Sequence, residues 1–168
     1  PSCGVSCADA LEDYFKRYVA VEDVAAVILE PVLGEGGFVV PPREFLPKLR
    51  EITARHGILL IADEVQTGFG RTGRWFAVDH WGVVPDLISM AKGLTSAYVQ
   101  LGAVGMRRGI AEAFKEKAFP GGLTYNSHTL ACSSARRSRS SRPISAKPRP
   151  AASRAPIDGL VRPMTALR

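Results

Sequence analysis

Two side chains of complementary chemistry stand at the ends of apolar runs. Asp63 follows Ile58-Leu59-Leu60-Ile61-Ala62, and Lys92 follows Leu87-Ile88-Ser89-Met90-Ala91. A carboxylate drawn partly out of water is costly unless it meets a cation or a strong donor. A lysine amine in a dry setting sheds its proton and becomes a nucleophile suited to bonding a carbonyl carbon. Taken singly, either residue reads as the first solvated position after a buried strand. Taken together, they place a nucleophile and an anion on one rim, provided the two runs are neighbouring parallel strands.

The elements around them support that arrangement. Over Ala8–Val19 the apolar Leu11, Tyr14, Phe15 and Tyr18 recur at helical spacing, with Asp9, Glu12 and Asp13 in the early turns where the helix dipole favours acids. Residues 24–29 (VAAVIL) form a short continuous apolar run closed by Glu30-Pro31, the pattern of a strand buried on both faces. Pro41-Pro42 lead into a helix over 43–55, with Phe45, Leu46, Leu49 and Ile52 inward, Pro47 in its early part and Gly57 as its stop. The runs at 58–62 and 87–91 repeat the strand pattern, 101–105 (LGAVG) reads as a further strand, and Arg108–Lys117 as a solvent-facing helix. Strands separated by segments long enough for crossovers predict an α/β fold with a parallel sheet. In such sheets ligands gather beyond the carboxyl ends of the strands, where Asp63 and Lys92 lie.

A length of 168 residues suits one domain, and 46% hydrophobic with 23% charged residues is the balance of a core-forming chain. No apolar run approaches the roughly 18–20 residues that span a bilayer. The first residues lack a secretory pattern, and the sparse cysteines Cys3, Cys7 and Cys132 fit a reducing, cytoplasmic setting with free thiols. Without a second Cys/His pair at ligand spacing, and with His56, His80 and His128 in separate contexts, no metal site is expected. The net charge of +6 is unevenly placed: nine of the 22 Lys and Arg fall in residues 135–168 with one acid, Asp158. The body is mildly acidic, so nucleic acid is not the expected partner. Residues 135–168, with five prolines and no aromatic residue, read as a disordered basic tail. Composition changes so abruptly after Ser134 that a shifted reading frame or a misjoined gene segment would account for it.

Four segments in order, EPVLGEGG at 30–37, DEVQTGFGRTG at 63–73, PDLISMAKGL at 85–94 and GGLTYNSH at 121–128, resemble the class III (omega) aminotransferases, pyridoxal-phosphate enzymes of fold type I. The resemblance covers residues 8–134. It implies that Lys92 bonds the cofactor and later shuttles a proton, and that Asp63 pairs with the pyridine nitrogen. It also implies that Val65 packs on the ring face and Gln66 reaches the phenolic oxygen. Thr124 matches a threonine that binds the cofactor phosphate of a neighbouring subunit, which implies a homodimer. Glu35 matches an acid that pairs with, and releases, a substrate-carboxylate arginine and so gates substrate. If the strand formed by the 58–62 run stays extended, period-two alternation turns Asp63 and Val65 the same way. The glycines at 34, 36, 68, 70 and 73 are expected at turns with positive φ.

The family is longer than this chain. The small-domain segments, the phosphate loop, the aromatic residue stacking on the ring and the substrate-carboxylate arginine find no match here, and Gln100 stands where many relatives have proline. The expected architecture is thus part of the fold type I large domain over 1–134, a mostly parallel sheet flanked by helices, followed by the disordered basic tail 135–168. The expected activity is transfer of an amino group from an amine or amino acid to a 2-oxo acid by a truncated, weak or defective member. A non-catalytic remnant and a basic-tailed nucleic-acid binder are the alternatives.

Overall fold

A computed structural model describes residues 4–140. Helix α1 (Ser6–Arg17) leads to strand β1 (Ala26–Leu29), helix α2 (Phe45–Arg55), strands β2 (Leu59–Asp63), β3 (Leu87–Met90) and β4 (Ala103–Met106), and helices α3 (Arg108–Glu112) and α4 (Thr129–Ser140). The strands form one sheet in the order β1-β2-β3-β4. β1, β2 and β3 run parallel, with Leu29 opposite Ala62 and Asp63 opposite Ser89.

β4 pairs antiparallel with β3, which leaves the sheet mostly parallel, as expected. Its connection from β3 holds a 3₁₀ turn at Lys92–Thr95 and two left-handed residues, Ser96 and Ala97. Without a helix to carry a crossover, the chain folds back. α3 ends at Glu112, short of the expected Lys117. α4 crosses the composition break after Ser134, so residues 135–140 are helical; the rest of the expected disordered tail, 141–168, lies outside the described residues.

The core lies on one face of the sheet. Leu60, Ala62, Ile88 and Met90 meet Leu46 and Leu49 of α2, with Phe76, Val78 and Val83 from the β2–β3 connection. Each of these side chains other than Ala62 contributes about 1.5–3 kcal/mol through removal from water. The other face differs from the two-sided burial expected of these runs: Ile28 is 62% and Val104 52% exposed. Continuous apolar sequence marks a strand meant for two covered faces, and the described residues cover one. Tyr14 of α1 and Tyr18 just past its end are likewise exposed, their rings 5.2 Å apart.

Local chemistry sets the strand ends. Pro47 is the third residue of α2, where its missing N–H is one of the unpaired first-turn donors. Gly57, at φ 70°, ends α2, and the Ile58 N–H returns to the Thr53 carbonyl at 2.9 Å, starting β2 at once. At the opposite end of the sheet from Asp63, the Asp86 carboxylate accepts the Leu60 N–H at 2.9 Å and pairs with Arg50 of α2 and Arg107 beyond β4. Burial alone would raise the Asp86 pKa, but the Leu60 N–H and the two guanidinium groups outweigh it and hold the carboxyl below its ordinary value of 3.8. Ionised Asp86 therefore contributes stability that is present above pH 3.8 and is lost as pH falls through its lowered value. In acid titrations followed by circular dichroism, Asp86→Asn should lose steepness in this range; an unchanged slope would contradict the assignment.

Candidate functional site

The structure brings Asp63, Gln66 and Lys92 to one rim. β2 ends at Asp63, and its Oδ1 accepts the Val65 N–H at 2.9 Å. That side-chain bond turns the chain, and turns continue from residue 65 to 70. The strand thus stops before Val65, and the alternation expected to align Val65 with Asp63 no longer applies. Asp63 is half-buried and has found the donor its burial requires.

Lys92 follows β3, strand neighbour to β2, and its Nζ donates to Gln66 Oε1 at 3.0 Å. Its backbone sits at φ 41°, in the left-handed region that a side chain makes unfavourable. Lys92 is exposed, contrary to the desolvation expected of it, because the sheet face above it is uncovered. Its amine is placed by Gln66 rather than by burial. α4 packs across the Lys92–Thr95 turn from the other side in sequence.

The loop carrying Glu35 reaches the same rim. A Leu33–Val39 bridge closes it, and the Gly34 N–H donates to Glu30 Oε2 at 2.9 Å. A Cβ on Gly34 would stand 2.9 Å from that oxygen and 3.1 Å from Gln66 Cδ, so a larger residue would displace the Glu30 and Gln66 side chains. At Gly68 glycine is required, since its Cβ would lie 2.8 Å from the Glu64 carbonyl oxygen, a backbone atom that cannot move aside. Gly34, Gly36 and Gly68 do not take the positive φ expected of them; Gly70 and Gly73 do, at 89° and 84°. Glu35 is exposed beside Gly34. Thr124 is exposed in the turn over 124–127, and no hydrogen bond joins it to the other candidates among the described residues.

Glu64 carries a positioning role that reading for strand-end charge passed over. It is wholly buried; Oε1 accepts the Val78 N–H at 2.9 Å and Oε2 accepts the Thr67 hydroxyl. These bonds fasten the turn holding Gln66 to the 3₁₀ turn Ala77–His80. A signal existed, since Leu60 and Ala62 alternate inward and Glu64 is next in that register. Phe76 and Trp81 pack with the core, whereas Trp75 is exposed and meets Phe69 edge-on.

Burial pushes the Glu64 carboxyl above its ordinary 4.5, while the donors from Thr67, Ala77 and Val78 pull the other way. A raised acid binds more protons folded than unfolded, so its contribution is full below pH 4.5 and declines as pH rises through the raised value. Urea midpoints of Glu64→Gln, measured across this range, should decline less with pH than those of the unsubstituted chain. Parallel curves would assign the decline elsewhere.

The aminotransferase class-III family model matches residues 3–138. The putrescine–pyruvate aminotransferase of Pseudomonas aeruginosa is 48% identical over 129 residues, covering 76% of this chain and 28% of its own. Among solved structures, an (S)-enantioselective omega-transaminase from Thermomicrobium roseum superposes with TM-score 0.76 at 44% identity, over 80% of this chain and 30% of that one. An amine transaminase from an uncultivated Pseudomonas species, solved in its pyridoxal-phosphate-bound form, gives TM-score 0.75 at 43% identity, over 79% and 31%. The chain thus spans about three tenths of the length of the relatives it matches. With that extent of agreement in sequence and fold, the chain belongs to the class III aminotransferase family.

Proposed function

We propose that this chain supplies the cofactor-bonding rim of a pyridoxal-phosphate-dependent aminotransferase, moving an amino group from an amine or amino acid to a 2-oxo acid. The observation that carries this reading is the Lys92 amine held 3.0 Å from Gln66 on the rim where Asp63 ends the neighbouring strand. The donor set fits such a cofactor: an amine for its aldehyde, an amide for its phenolic oxygen, and a carboxylate for its ring nitrogen. Asp63 Oδ2 has no protein donor among the described residues and is left to accept a proton-bearing ring nitrogen.

When bound, pyridoxal phosphate supplies an aldehyde and an electron-accepting ring. Lys92 would be the nucleophile toward that aldehyde, and its amine would hold and return the proton at the substrate carbon. Asp63 keeps the ring nitrogen protonated by a charge-assisted hydrogen bond. The Val65 N–H fixes the Asp63 carboxylate, and the Val65 side chain packs on the ring. Gln66, whose Oε1 accepts from Lys92, keeps its Nε2 to donate to the phenolic oxygen. Thr124 reaches the phosphate of a second subunit's cofactor, which makes the working unit a homodimer. Glu35 gates substrate by pairing with a carboxylate-binding arginine. Residues 1–134 form part of the cofactor-binding large domain. Residues 135–168 are the basic tail, entered through α4. The setting is cytoplasmic, in keeping with the free thiols of Cys7 and Cys132; no described helix is long and apolar enough to cross a membrane.

Titration of the purified chain with pyridoxal phosphate should raise the visible absorbance band of a lysine-bonded cofactor. Failure to raise it would favour a remnant that no longer holds the group. The isolated 168 residues are expected to turn over substrates far more slowly than full-length relatives, because productive orientation of a substrate carboxylate needs a partner that this stretch does not match.

A further inference from the structure

Ser89 stands in β3, three residues before Lys92, as the Cα partner of Asp63 across the β2–β3 ladder. Partners in a parallel ladder point to the same face of the sheet from strands about 4.8 Å apart. The hydroxyl and the carboxylate are therefore side by side. Ser89 Oγ is also buried without a hydrogen-bond partner, and it is the one side-chain polar atom in that condition among the described residues. An unpaired buried hydroxyl costs free energy, and serine adds little to packing in a strand that otherwise reads Leu, Ile and Met. Asp63, for its part, has one oxygen tied to the Val65 N–H and the other without a protein donor.

We propose that the Ser89 hydroxyl is a positioning donor for the Asp63 carboxylate, engaged when a ring nitrogen draws that carboxylate into line. This rests on the cofactor reading given above. A carboxylate has about four acceptor sites, so it can take the Val65 N–H, a ring N–H and the Ser89 hydroxyl together. The movement this calls for is rotation about the Ser89 and Asp63 side-chain bonds. The added donor favours the ionised acid, which in turn holds the proton on the ring nitrogen. The hydroxyl that is a cost to the cofactor-free fold thereby becomes an asset when the ring is in place.

The test compares the full chain with Ser89→Ala and Ser89→Thr, titrated with pyridoxal phosphate and with its deaza analogue, in which a carbon replaces the ring nitrogen. Both compounds keep the aldehyde that Lys92 bonds. Ser89→Ala should weaken pyridoxal phosphate about tenfold, the scale of one hydrogen bond to a charged group, and leave the deaza analogue unchanged. Ser89→Thr, which keeps the hydroxyl, should restore binding. Without cofactor, Ser89→Ala should unfold at an equal or higher urea concentration than the unsubstituted chain. Unchanged affinity, equal weakening of both compounds, no rescue by threonine, or a less stable cofactor-free protein would each overturn the proposal. If the unsubstituted chain forms no lysine-bonded band, the cofactor reading itself fails and Ser89 falls with it. A normal band in that chain beside an unaffected Ser89→Ala overturns the Ser89 role alone.

Discussion

Lys92→Ala is expected to abolish the visible band of the lysine-bonded cofactor and leave the fold in place. The side chain is exposed, so its truncation removes little packing, and alanine meets the same backbone demand at φ 41°. What disappears is the amine and its bond to Gln66 Oε1, an acceptor that water can satisfy. Three other described lysines are engaged elsewhere: Lys16 pairs with Asp13 on α1, Lys48 of α2 with Asp9 of α1, and Lys115 with Glu112 at the end of α3. Absorbance spectra with added pyridoxal phosphate, read beside far-ultraviolet circular dichroism, check both halves of the expectation. A variant that keeps the band would mean that another amine does the bonding.

Asp63→Asn is expected to weaken pyridoxal-phosphate binding by about ten- to a hundredfold, the range for loss of a charge-assisted hydrogen bond. Asparagine keeps an oxygen for the Val65 N–H at the end of β2, so the turn into residues 65–70 should survive. The substitution therefore separates charge from geometry. A neutral amide cannot hold a proton on the ring nitrogen, and any residual exchange of amino groups should fall further than binding does. Cofactor titrations at fixed pH measure the first effect, and single-turnover exchange with an amine measures the second. Equal affinity for the two proteins would remove Asp63 from the ring.

The residues that give away the architecture are those whose neighbours in sequence are also their reasons. Ile58–Ala62 is apolar throughout and Leu87–Ala91 apolar but for Ser89, the pattern of strands with covered faces, and Asp63 and Lys92 follow them because both strands end at one rim. Pro47 and Gly57 bracket α2 by backbone chemistry that needs no tertiary context. Other features depend on contacts that spacing cannot show. Gly34 and Gly68 look like turn glycines, yet their constraint is a neighbour that a Cβ would strike. Val65 lies two residues past Asp63, but the bond from its own N–H to that carboxylate ends the strand between them. β4 reads as one more strand, while its direction follows from the 3₁₀ turn that occupies its connection. Lys92 was expected to be dry, and its exposure reflects which face of the sheet the described helices cover. Glu64 was legible in the alternation of β2 and was masked by the more conspicuous acid beside it.

The most direct measurement is chemical. The chain is mixed with pyridoxal phosphate, reduced with borohydride to fix any lysine–cofactor bond, digested, and mapped by mass spectrometry. The expected result is the cofactor's mass on the peptide containing Lys92, and its disappearance from that peptide in Lys92→Ala. Label confined to other lysines, or no label on a folded chain, would contradict the assignment of this rim as the cofactor-bonding site.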